Sequence, residues 1–70
     1  MINKSDIPDL PGKKLILFST GVTYEIISAR IMKWVGLVAV LRDGDGFERQ
    51  LAIHTARWDG SQQAYILGEP

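Results

Sequence analysis

There is no cysteine in these 70 residues, so neither a disulfide nor a cysteine-ligated zinc can reinforce the fold. His54 is the only histidine. Eight Lys/Arg balance eight Asp/Glu. A net charge of zero gives no sequence-wide attraction to nucleic acid or to an anionic membrane. Long apolar runs are missing too. The longest segment, Ile31 to Leu41, contains Lys33 and is far shorter than the roughly 20 residues of a spanning helix. "MINKSDIPDLPG" at the N-terminus lacks the apolar stretch of a secretory signal. These absences lead us to expect a cytoplasmic protein with no membrane partner.

A chain of this length makes at most one domain, and one that buries only about 60% of its unfolded surface. Residues 1–12 are polar, carry Pro8 and Pro11, and read as an N-terminal arm in which Ser5 and Asp6 cap no more than a single helical turn. Residues 13–70 read as one small β domain. Leu15–Phe18 is a short apolar run bounded by lysines and by Ser-Thr-Gly, the pattern of a strand. Leu37–Leu41 is a second such run. Phe47, Arg49, Leu51 and Ile53 then alternate with Glu48, Gln50, Ala52 and His54, as in a half-buried strand. "TARWDGSQ" supplies a turn at Asp59-Gly60, and "QAYIL" a last strand.

The stretch from Thr23 is ambiguous. As a strand, "TYEIISARI" has no clean polar face. As a helix over 24–35, Ile26, Ile27, Ile31, Trp34 and Val35 make an apolar stripe. β-branched residues and neighbouring strands favour the strand. The expected fold is therefore all-β: about five short antiparallel strands in a small barrel or strongly bent sheet. The alternative is α+β, with a helix at 24–35 covering the sheet. The order of strands and turns resembles that of small SH3-like barrels. That likeness is one of spacing, and no function transfers with it.

Motifs with chemistry are scarce. "DGDG" at 43–46 evokes a calcium loop, which needs oxygen ligands at positions 1, 3 and 5, glycine at 6 and glutamate at 12. Counting from Asp43, those last three places hold Phe47, Glu48 and His54. Asp and Gly in alternation between two apolar runs are instead what a hairpin turn requires. His54 has no serine in a nucleophile-elbow context to activate. No P-loop and no dinucleotide fingerprint is present. We expect no catalytic residue, no metal site and no cofactor.

What the chain has in excess is apolar residues. Ala, Val, Ile, Leu, Met, Phe, Trp and Gly make up 37 of 70, about 53%, against a usual 45–50%. Leu15–Phe18 and Leu37–Leu41 leave no polar position on either face of a strand. In an all-β fold the outward side chains would include Ile16, Phe18, Val38 and Val40. Leaving these exposed forfeits about 1.5–3 kcal/mol each. A contiguous patch of that kind marks an interface. The expected function is a non-enzymatic protein-interaction module that self-associates, most simply as a two-fold dimer. Its partner-binding residues would be Ile16, Phe18, Trp34, Val38, Val40 and Trp58, tryptophan being enriched at interface hot spots. An alternative is a single-strand nucleic-acid-binding barrel using Lys33, Trp34, Arg57 and Trp58, where bases stack on indoles beside cations. A chain this short also fits an accessory protein of a mobile genetic element with a partner of unknown kind.

Overall fold

The computed structural model describes residues 2–68 and shows an all-β protein. A 3-10 helix over Lys4–Asp9 leads into six strands: β1 (Lys14–Leu17), β2 (Thr23–Met32), β3 (Gly36–Arg42), β4 (Glu48–Ala52), β5 (Arg57–Asp59) and β6 (Ala64–Leu67). They form one sheet in the order β4-β3-β2-β1-β6-β5. The first four strands are a meander of antiparallel neighbours. β5 and β6 are a hairpin. β6 joins the meander by pairing parallel to β1, Leu15 opposite Tyr65 and Leu17 opposite Leu67.

Two features depart from the simplest expectation. The sheet is not closed into a barrel, because β4 and β5 are both edges. One of its pairs is parallel, which the return from β4 to the far side of β1 makes possible. The segment 24–35 is not a helix. Thr23–Met32 is the longest strand of the sheet, and it carries an irregularity between Ile26 and Ser28 that puts one extra residue, Ile27, into the ladder. That bulge resolves the ambiguous pattern. Before it Tyr24 and Ile26 face the core, and after it Ala29 and Ile31 continue on that side, opposite Ala39 and Leu37. Glu25, Ser28 and Arg30 lie on the other face, paired with Arg42, Val40 and Val38.

The core fills one face of the sheet. Leu15, Tyr24, Ile26, Leu37, Ala39, Leu41 and Tyr65 point into it, and Leu10, Ile53 and Ala56 close it from the connections. Residues from both halves of the sheet share this one cluster. The N-terminal segment takes part: Leu10 is fully buried, and Ile2 and Ile7 pack against the core. Its start is tied by the Asn3 N–H, which donates to the Asp6 carboxylate at 3.2 Å, and by the Asp6 N–H, which donates to the Asn3 carbonyl at 2.9 Å. This segment lies near the Tyr65 ring. Burial, with Asp6 and Asp9 nearby, holds the phenol above its ordinary pKa.

The "DGDG" stretch is a hairpin turn between β3 and β4. One carboxylate oxygen of Asp43 accepts the N–H groups of Asp45 (2.9 Å) and Phe47 (3.0 Å), and the Asp43 N–H donates to the Phe47 carbonyl at 3.0 Å. Gly46 adopts φ +89°, which glycine reaches without strain. At the foot of this turn Arg42 and Glu48 form an ion pair at 2.6 Å across the ladder.

Candidate functional site

The face of the sheet opposite the core divides into a covered half and an open half. In the covered half, Val38 lies between Arg30 and Ala52 in the register and is only 7% exposed; Val40, between Ser28 and Gln50, is half-buried. Their cross-strand neighbours on β2 and β4 flank these valines.

The open half lies over β1, β6 and β5. Ile16 pairs with Ile66, and Ile66 pairs with Arg57, so the three side chains form a row across the outer face. Phe18 follows β1 and is 45% exposed. Its N–H donates to the Leu67 carbonyl at 2.8 Å, which extends the parallel ladder and sets Phe18 two residues along from Ile16, beside the row. Gly68, at φ +102°, permits this approach, because a Cβ there would come within 3.3 Å of the Phe18 Cβ. These residues, with Trp58 and Asp59, line a groove of about 580 Å³. That volume lies in the range of small-molecule and side-chain pockets.

Trp58 is 46% exposed. Its ring meets Tyr65 edge-on at 5.1 Å, and the Lys13 ammonium lies 5.7 Å from its centre. Packing against Tyr65 holds the indole in place at the margin of the groove. The wall beside it is shaped by Asp59. Asp59 accepts the Ser61 N–H (2.9 Å) and hydroxyl (2.7 Å) on one oxygen and the Gln62 amide (3.2 Å) on the other. The Ser61 hydroxyl is the main reason its carboxyl sits below the ordinary aspartate range, with Gln62 adding to the effect. The groove therefore has an apolar floor and one fixed anion beside one cation, Arg57.

Trp34 stands elsewhere. It occupies the turn between β2 and β3, 92% exposed, in a left-handed backbone conformation with φ +73°. The Lys33 ammonium lies 5.3 Å from its ring centre. Exposed Ile31 and Val35 flank it, and the turn is closed by the Val35 N–H donating to the Met32 carbonyl at 3.2 Å.

The structure thus brings Ile16, Phe18 and Trp58 together, leaves Trp34 at a separate tip, and places Val38 and Val40 on the covered half. Of the residues named for single-strand binding, Lys33 and Trp34 share the tip while Arg57 and Trp58 share the groove. Ile66 and Asp59 complete the groove and were not picked out from sequence. Their inclusion follows from the parallel pairing of β6, which no local pattern announces. His54 is exposed beside Gly36, whose missing Cβ would lie 3.7 Å from its Nδ1. Among the described residues, no three His, Asp or Glu side chains gather as a metal site requires, and no helix is long and apolar enough to cross a membrane. No family model, curated protein or solved structure matches this chain.

Proposed function

We propose that this protein is a non-enzymatic interaction module that self-associates through the outer groove over β1, β6 and β5. The observation that carries this is the apolar cluster of Ile16, Ile66 and Phe18 lining the groove on the face opposite the core, bordered by a half-exposed tryptophan. A domain this small has little apolar surface to spare from its core, so a second apolar surface is best accounted for by a partner. Zero net charge imposes no repulsion between copies. Light scattering over a concentration series should give a mass above the 7.8 kDa of one chain. Phe18→Lys, which puts a charge into that cluster, should return it to that mass with the circular dichroism unchanged. A wild-type protein that stays at 7.8 kDa at every concentration would remove the proposal.

A second function, single-strand nucleic-acid binding, draws support from the lysines set over both indoles, Lys13 over Trp58 and Lys33 over Trp34. Base stacking beside cations needs that juxtaposition. Quenching of tryptophan fluorescence by an oligothymidylate at low salt, lost steeply as salt rises, would select it over self-association.

A further inference from the structure

We infer that the occupant of the groove is the Trp34 turn of a second copy, so that the molecules join tip to groove. This rests on the self-association proposed above and names its geometry.

Trp34 is the most exposed large apolar side chain among the described residues, and its backbone is in a region that non-glycine residues rarely adopt. A turn needing positive φ is ordinarily served by Gly or Asn. A tryptophan kept there, in spite of the strain, points to a use for the side chain. Exposed Ile31 and Val35 add apolar surface beside the indole, and Lys33 gives the tip a positive charge.

The groove offers what this tip lacks. Phe18, Ile16 and Ile66 supply apolar surface for an indole, and Trp58 supplies an aromatic edge. Asp59 is held ionised by Ser61 and Gln62, and it can meet Lys33 of the incoming tip. Arg57, the groove's other charge, lies in the same row as Ile66, on the apolar side where a cation can cover the indole face.

A molecule cannot fill its own groove. β1 pairs with the first residues of β2, Thr23–Glu25, whereas Trp34 lies beyond the last, Met32. The seven or more residues between span roughly 25 Å of strand. The longest dimension of the whole molecule is 28 Å. Tip and groove are therefore at opposite ends. Made once per pair, a contact between two different patches is heterologous and leaves one tip and one groove unused; made twice about a two-fold axis, it closes as a dimer. A reciprocal pair is the two-fold dimer expected from sequence, and a single contact continues to a ring or a filament.

The experiment uses two lesions in the full chain. Trp34→Gly removes the tip and keeps the groove; Phe18→Lys keeps the tip and blocks the groove with a charge that repels Lys33. Ile16→Lys replaces Phe18→Lys if that variant loses its β-sheet circular dichroism. Wild type should exceed the mass of one chain as concentration rises, stopping at two chains if the contacts are reciprocal and growing further if they run head to tail, and each variant alone should remain at 7.8 kDa. An equimolar mixture of the two variants should form a one-to-one dimer and nothing larger, since it holds a single compatible tip and groove. If Trp34→Gly assembles as wild type does, the tip is not the occupant, although self-association stands. If the mixture stays monomeric, tip and groove do not meet. A monomeric wild type overturns both proposals, and one whose fluorescence is quenched by oligothymidylate transfers the tip and groove to nucleic acid.

Discussion

Single side chains decide the shape of the turns, and through them the groove. Asp43 holds its turn by accepting two backbone N–H groups on one oxygen. Asp43→Ala should destabilise the protein by about 1 kcal/mol, read from the denaturant midpoint, while Asp43→Asn, which keeps an acceptor oxygen, should lose less. Asp59 plays the same part in the β5–β6 turn, and there the effect can be followed by pH. Its carboxyl pKa is lowered in the folded protein, first by the Ser61 hydroxyl and then by Gln62. A group depressed on folding contributes its stabilisation in full above its unfolded pKa and loses it as pH falls through the folded one. The turn should therefore weaken only on the acid side. Ser61→Ala should move the Asp59 titration, followed by carboxyl carbon NMR, upward toward the ordinary aspartate range. An unmoved titration would show that the backbone N–H and Gln62 alone set it.

At the scale of elements, β2 and the turn after it show where function and stability pull apart. A left-handed backbone costs a non-glycine residue about 1–2 kcal/mol, while glycine gives back about half of that in unfolded-state entropy. Trp34→Gly should thus stabilise the monomer by about 0.5–1 kcal/mol even as it abolishes assembly. A thermal melt that drops instead would mean that the indole supports the fold. The N-terminal segment makes the opposite case. Composition marks residues 1–12 as an arm, yet Leu10 is fully buried among core side chains. Leu10→Ala should cost about 2–5 kcal/mol, a large part of the roughly 4–10 expected for a chain of this size. Such differences follow the range of the signals. β3 and β4 were legible because their alternation and the Asp-Gly turn are local. β2 was half legible, since one bulged residue breaks a period of two and mimics a helical stripe. β5, three residues long, carries no pattern of its own. The parallel pairing of β6 with β1 depends on the whole chain and was not legible, and neither, for that reason, was Ile66 as the centre of the groove.

Considered as a whole, the molecule carries balanced charges, with Arg42–Glu48 the one ion pair among the described residues, while its second apolar surface sits over the parallel pair. Salt separates the two functions proposed for such a surface. An assembly held by Phe18, Ile16, Ile66 and an inserted indole gains its free energy from apolar burial, which added salt does not screen. Its one charge contact, Lys33 with Asp59, is of the exposed kind that contributes little. Raising sodium chloride from about 50 to about 500 mM should therefore leave the assembly constant within about threefold. Single-strand binding across Lys33, Arg57 and the two indoles would release a counterion for each phosphate neutralised. With three or four contacts it would fall by a hundredfold or more over roughly the same interval. Sedimentation of the wild-type protein at both salt concentrations distinguishes the two. An assembly that dissolves at the higher salt would show that charge holds the copies together. The apolar row would then have to be explained by something other than a second copy.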